Sequence, residues 1–124
     1  MRWSDSFSPE TVIAEKLHAI VVLGSRNSRM KDYFDLHALA KGNTPKAAAI
    51  ARAIAATFER RRTQLPERWP VGLTDEFAND ATKCKQWQAF LDKNRLAAPA
   101  LGATVEVLRE LLDEPLALAR QKNR

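Results

Sequence analysis

The sequence has a single cysteine, four glycines and one tyrosine in 124 residues, and no long apolar run. Each scarcity excludes something. Cys84 cannot close an internal disulfide, so the fold must rest on its core, and a reducing cytoplasm is the expected setting. The longest apolar run, Ala19 to Leu23, falls far short of the ~20 residues that span a bilayer, so no membrane association is expected. The opening Met1-Arg2-Trp3-Ser4-Asp5 lacks the apolar stretch of a secretory signal. No segment sustains strand-like alternation of apolar and polar residues, and no internal repeat is visible. Metal ligands are scarce too. His18 and His37 have no Cys or His partner at ligand spacing, so no metal site is expected and each reads as a helix-surface histidine. Cys84, between Lys83 and Lys85, has no identifiable base partner and reads as an ordinary cysteine.

What is present fits one globular domain. Hydrophobic residues make up 45% and charged residues 28%, a balance that excludes a disordered chain. The length suffices to bury a single core. The net charge is +5, and a surplus of +4 falls within residues 43–72, mostly at Arg60-Arg61-Arg62. Such a cluster suits polyanion binding, but cations at a helix end are also stabilised by the helix dipole.

The punctuation is helical. Ser8-Pro9-Glu10 is an N-cap, a first-turn proline and a first-turn acid. Val12, Ile13, Leu17, Ile20 and Val21 then recur at helical spacing up to Gly24. After a polar turn, Ser25 to Ser28, a second helix is expected from Arg29 or Met30 to Lys41. It should bury Tyr33, Leu36, Leu39 and Ala40 and stop at a left-handed Gly42. Thr44-Pro45 repeats the start signal for an alanine-rich helix through Ile50, Ile54 and Phe58. Residues 65–73, with Pro66 and Pro70, predict an irregular surface connector. Thr74-Asp75-Glu76 opens a short helix, and Asp80 or Thr82 opens another carrying Trp87, Phe90 and Leu91. Trp69, Trp87 and Phe90 have spacings that favour core packing over base stacking. After Pro99 a last helix carries Leu101, Val105, Leu108 and Leu112, with Pro115 ending or kinking it and the polar residues after Ala119 fraying. The fold class expected is an all-α bundle of five or six helices.

The chemistry lies in residues 8–42. Ala14-Glu15-Lys16-Leu17-His18-Ala19 is followed, after the turn, by Arg29-Met30-Lys31-Asp32-Tyr33-Phe34-Asp35-Leu36. Lys16 sits in an otherwise apolar helix, and Asp32 and Asp35, three apart, share a helix face. On the residues alone, two readings stand. Lys16 and Asp32 can form a site for phosphate or an attacking hydroxyl. Alternatively, Lys16 snorkels to water, while Asp32 and Asp35 are first-turn acids with an exposed Lys31–Asp35 pair.

The paired pattern resembles the third and fourth motifs of the AbiEii/AbiGii toxin family, roughly A-E-K-L-x-A and R-x-K-D-x-x-D-L. The resemblance continues through Thr57-Phe58, the proline-bearing connector, Gly72 to Phe77 with Asp80, and Gln86 to Leu91. It implies a nucleotidyltransferase of the abortive-infection, type IV toxin–antitoxin kind, acting on RNA, tRNA in particular. It carries Lys16 and Asp32 over as catalytic residues. Glu15 and Asp35 become supporting residues, and Arg26, Arg29 and Lys31 weaker nucleotide or phosphate contacts. It implies Mg and NTP for the full-length enzyme, and an antitoxin as partner.

The family also brings an N-terminal α/β domain with a Gly-Gly or Gly-Ser loop followed by Asp-x-Asp. Gly24-Ser25 is followed by no such pair. The chain is therefore expected to be the C-terminal helical part of such a toxin, as a truncated product, an excised domain or half of a split protein. It should be inactive alone and bind no cofactor tightly. Two other readings are a stand-alone module binding RNA or antitoxin through residues 43–72, and a non-functional remnant. If the resemblance holds, Lys16 and Asp32 face a common point on an exposed, concave or flat surface, from two helices lying side by side.

Overall fold

The computed structural model describes the backbone of residues 8–122 and the side chains of 8–121; the reading of Met1 to Asp5 falls outside them. Six α-helices follow in order among the described residues: α1 (Pro9–Leu23), α2 (Met30–Lys41), α3 (Ala47–Arg60), α4 (Asp75–Asn79), α5 (Ala81–Asn94) and α6 (Leu101–Lys122). Two 3₁₀ turns, Gly24–Arg26 and Val71–Leu73, complete them, and no described residue is in a strand. The all-α bundle expected from the sequence is what forms.

The caps explain where the helices begin and end. Ser8 Oγ accepts from the Thr11 amide at 3.3 Å, Thr74 Oγ1 from Phe77 at 3.3 Å and Asp80 Oδ1 from Lys83 at 2.9 Å. Each satisfies an amide that the first turn leaves without a carbonyl. Gly24 ends α1 at φ +56. Gly42 does not take the expected left-handed conformation; its φ is −99. Thr44 closes α2 instead, its hydroxyl donating towards the carbonyls of Leu39 (3.1 Å) and Ala40 (2.9 Å). That use of Thr44 moves the start of α3 to Ala47, behind Lys46. α3 ends with Arg62 at φ +52, the Thr63 amide reaching back to Phe58 O and the Arg62 amide to Glu59 O. This is the paired closure in which a left-handed residue satisfies the last carbonyls.

The core is built from one stripe of each long helix. Ile13, Leu17 and Ile20 of α1 meet Tyr33 and Leu36 of α2, Ile50, Ile54 and Phe58 of α3, and Leu108 and Leu112 of α6. Leu39 and Ala40, expected in the core, are only half-buried at the end of α2. α1 packs most extensively on α3, and α6 lies against both α3 and α2. The contact between α1 and α2 is shorter than that between α1 and α3, and it includes the point where Lys16 meets Asp32. Trp87 is buried, with its indole N–H donating to Pro99 O at 3.0 Å, and Trp69 and Phe90 pack half-buried against the core, as their spacing suggested.

Two expectations for the C-terminal half are corrected. Pro115 does not end α6, and the helix does not fray after Ala119: it runs on to Lys122. A mid-helix proline costs about 3 kcal/mol or more. Against that, Leu116 and Ala119 are buried in the core, and Arg120 Nε donates to Pro66 O at 2.8 Å. The connector does not simply track the surface either. Gly72 and Leu73 are buried, and the Tyr33 hydroxyl donates to Gly72 O at 2.8 Å. A Cβ on Gly72 would stand 2.6 Å from the Tyr33 hydroxyl oxygen and 2.8 Å from Ile20 Cγ2, so only glycine lets the connector approach this closely.

Overpacking of this kind costs about 1–3 kcal/mol. Gly72→Ala is therefore expected to lower the urea-unfolding midpoint clearly without changing the helical circular dichroism of the folded state. An unchanged midpoint would mean that the connector does not dock here.

Candidate functional site

The two motif-bearing helices are brought together at a fixed point. Lys16 Nζ lies 3.0 Å from Asp32 Oδ1 and 3.0 Å from Asp35 Oδ2. One ammonium thus bridges two carboxylates, which sit on the same face of α2 because they are three residues apart. The Asp32 side chain is 3% exposed and that of Lys16 17%, so this is a nearly desolvated pair. Lysine as a snorkelling surface residue does not describe it. Nor is Asp32 the surface group expected: it is buried just inside the bundle, and Lys16 reaches in to it.

Two further cations close the cluster from outside. Lys31 Nζ donates to Asp35 Oδ2 at 2.7 Å, the i,i+4 pair expected. Arg29 reaches Asp32 less well. Its Nε lies 3.1 Å from Oδ2 without hydrogen-bond alignment, and its Nη2 reaches Oδ1 at 3.4 Å. Direction matters more than separation in a hydrogen bond, so Oδ2 counts as an unpartnered buried oxygen. Arg29 itself is well exposed.

The turn before α2 sets this register. Asn27 is fully buried, its Oδ1 accepting from the Arg29 amide at 2.8 Å. Its carbonyl accepts from Lys83 Nζ of α5 at 2.8 Å, and that ammonium also lies 5.3 Å above the Phe77 ring. Neither Asn27 nor Lys83 was singled out in the sequence. An asparagine in a polar turn and a lysine on an exposed-looking helix carry no local signal; only the fold shows the contact.

A cleft of about 400 Å³ runs along the outer face of α1 beside the cluster, lined by Val12, Glu15, Lys16, His18, Ala19, Val22, Leu23, Arg29 and Arg61. Its lining combines four aliphatic side chains with the cations Lys16, Arg29 and Arg61, the acid Glu15 and His18. Of the weaker candidates, Arg29 lines it; Lys31 and Asp35 belong to the cluster without lining the cleft, and Arg26 is exposed and in neither. The Arg60-Arg61-Arg62 run is not simply a solvated helix end. Arg60 Nη2 lies 2.6 Å from Glu15 Oε2, and Arg61 Nε donates to Glu15 Oε1 at 2.9 Å.

The histidines also differ from expectation. His18 is half-buried, its Nε2 2.9 Å from Thr63 Oγ1 and its ring edge-on to Phe58. Its pKa lies below the ordinary 6.5, first through burial and then through Arg61, with Glu15 opposing. His37 is half-buried with Nε2 unpartnered, and its pKa is lowered by burial and then by Lys41. Cys84 is exposed, its thiol directed at Ala78 O at 3.3 Å. Among the described residues no group of three or more His, Cys, Asp or Glu is arranged to hold a metal ion.

Two measurements follow. Removing one partner of a buried ion pair costs about 3–5 kcal/mol, less where one partner keeps some exposure as Lys16 does. Lys16→Met should therefore destabilise strongly, and adding Asp32→Asn should restore part of the loss; a double variant no better than additive would remove the pair as a structural tie. Both histidines have folded-state pKa values below 6.5, so the unfolded chain takes up protons first. Stability is full above pH 6.5 and declines as pH falls below it towards the folded-state values. The double variant His18→Gln/His37→Gln should flatten that part of the stability–pH curve, and an unchanged slope there would contradict the assignment.

No described helix is long and apolar enough to cross a membrane. No curated protein sequence and no solved structure matches the chain. A family model described as nucleotidyl transferase AbiEii toxin, type IV toxin–antitoxin system, matches residues 6–114, a span holding both motifs, the connector and most of α6. With Lys16, Asp32 and Asp35 of those motifs meeting at one point beside a cleft, the chain belongs to the AbiEii nucleotidyl transferase toxin family.

Proposed function

We propose that this chain is the helical, C-terminal portion of an AbiEii-type nucleotidyltransferase toxin, in which Lys16 and Asp32 serve NTP binding and nucleotide transfer to RNA, tRNA in particular. The observation that carries the reading is the Lys16–Asp32–Asp35 cluster, whose Lys16 lines an open cleft that the two carboxylates themselves do not line. Two motif segments that the turn separates converge there on one ammonium.

In this reading Lys16 is held at a fixed height on the cleft wall, its charge presented to a triphosphate. At ~4 Å and an effective dielectric near 20, one such charge pair is worth about 4 kcal/mol before desolvation. A phosphate oxygen entering the cleft takes over one of the aspartate contacts, so the ammonium exchanges partners rather than gaining one. The free Oδ2 of Asp32 accepts a hydrogen bond from an attacking hydroxyl once Arg29 turns towards the ligand. Asp35, tied to Lys31, keeps the ammonium from following the ligand out.

Magnesium, which the family's chemistry implies, does not fit this cluster. Both carboxylates are closed on Lys16, and no third acid joins them among the described residues. No catalytic step is therefore assigned to a metal on these residues. The metal carboxylates belong, in this proposal, to an N-terminal nucleotidyltransferase domain carrying the Gly-Gly or Gly-Ser loop and the Asp-x-Asp pair. The cognate antitoxin is the second expected partner, and the setting is cytoplasmic. The rival module would bind RNA through residues 43–72, a surface on which Arg60 and Arg61 are paired with Glu15.

The test uses the chain with magnesium, labelled NTPs and tRNA. No detectable incorporation is expected, but NTP titration should shift amide resonances around Lys16 and Arg29, and Lys16→Ala should abolish those shifts. Incorporation that disappears in Asp32→Ala would show that the metal site is assembled another way. NTP shifts indifferent to Lys16, or RNA binding with a steep salt slope and no NTP response, would overturn the assignment.

A further inference from the structure

One turn of α1 is devoted to holding the segment that follows α3. Glu15 receives Arg60 on Oε2 and Arg61 on Oε1, Arg61 through both Nε (2.9 Å) and Nη2 (2.8 Å). Three residues on, His18 meets Thr63 Oγ1 at 2.9 Å, and the Thr63 hydroxyl lies 3.1 Å from Arg61 O. A hydroxyl has one proton, so if Thr63 donates to Arg61 O, His18 must donate from Nε2. Side chain and main chain of Arg61 are thus both tied to α1.

The direction of that hold matters. Arg61 lies just past the end of α3, where the backbone turns through left-handed Arg62 and the guanidinium would otherwise be free to swing in water. With Nε and Nη2 taken by Glu15, Arg61 lines the cleft together with Arg29 and Lys16. Glu15 is only a quarter exposed, whereas about half of the Arg61 side chain is open to solvent. The acid is therefore the anchor and the arginine the part displayed. An arginine fixed through one edge loses less freedom when its remaining N–H groups meet an anion.

We propose that Glu15 is a positioning residue for the cleft: with His18 and Thr63 it holds Arg61 at the mouth so that Arg61 and Arg29 grip an anionic phosphate chain lying against Lys16. This rests on the reading of the Lys16 cluster as the nucleotide-transfer site. It makes a prediction opposite in sign to bulk electrostatics. Glu15 lines the cleft, so removing its charge would on Coulombic grounds alone strengthen the binding of an anion. If Glu15 acts through Arg61, removing it weakens binding although the chain becomes one unit more positive.

The experiment is titration of the chain with inorganic tripolyphosphate, followed by calorimetry and by the Arg61 Nε–H resonance. Charge-assisted hydrogen bonds of this kind are worth about 1.5–3 kcal/mol, so Glu15→Gln is expected to weaken binding roughly tenfold or more. It should also broaden or shift the Arg61 Nε–H signal and have no further effect in an Arg61→Ala background. Glu15→Asp, too short to reach both arginines, should fall between. Lys16-dependent binding that Glu15→Gln leaves equal or tightens would overturn the positioning role alone, as would an Arg61 signal unchanged by the substitution. Binding unaffected by Lys16→Ala would instead overturn the reading of the site, and a wild-type chain that does not bind tripolyphosphate would overturn both.

Discussion

A carboxylate sealed inside a helical bundle has to be given a cation, and in this chain the cation has to come from a different helix. Asp32 enters the protein in the first turn of α2 and is almost wholly desolvated. Removing an ion from water costs several kcal/mol, which only close, well-directed partners repay. Lys16 is that partner, and its position on α1 fixes where α2 crosses. The buried Asn27, the Tyr33 bond to Gly72 and the Lys83 bond to Asn27 then hold the intervening turn so that the pair keeps its register. The polar groups at the centre of the site are in this sense part of the fold, and the close approach at Gly72 is the steric condition for them.

α1 is the element on which these constraints meet. Successive residues of a helix point about 100° apart, so Glu15 and Lys16 address different neighbours. Lys16 turns to α2 and Glu15 to the end of α3, while Ile13, Leu17 and Ile20 fill the core between them. What is left is an outer strip, with exposed Val22 and half-buried Ala19 and Leu23, that lines the cleft together with buried Val12. Val22 is accordingly among the most exposed large apolar residues described. The cleft is the part of α1 left over when the other faces are engaged.

Much of this could be read from residue order. The starts of α1, α4 and α5 were legible because a Ser, Thr or Asp cap acts on amides two or three positions away. The buried stripes of α1 and α3 were legible because their period is that of a helix. The end of α2 at Lys41, with Gly42 after it, was legible, but the backbone Gly42 adopts was not, because Thr44 closes the carbonyls that a left-handed glycine would have served. Whether Pro115 ends or kinks α6 could not be read locally, because the packing that carries the helix on to Lys122 comes from α3 and the connector. In the site, the resemblance singled out Lys16, Asp32 and Asp35, and helical spacing put the two aspartates on one face. It could not show that Arg61 and His18 face the same cleft, since they lie 45 or so residues apart from their partners and only the α1–α3 packing joins them.

The way the cluster is satisfied also bears on what it can bind. Lys16, Asp32, Asp35 and Lys31 form a network that is nearly complete without any ligand, as does Glu15 with its two arginines. Such completeness leaves no isolated charge buried in either group. The same completeness limits affinity, since an incoming phosphate must replace contacts that already exist and gains only the difference. One polar atom of the cluster escapes this balance: Asp32 Oδ2, buried yet without a hydrogen bond. A buried acceptor left unsatisfied is costly, and the folded chain tolerates it at the point where two motif segments converge. Arg29 Nε stands 3.1 Å from that oxygen without the alignment of a hydrogen bond, so the guanidinium offsets its charge and leaves its acceptor geometry open.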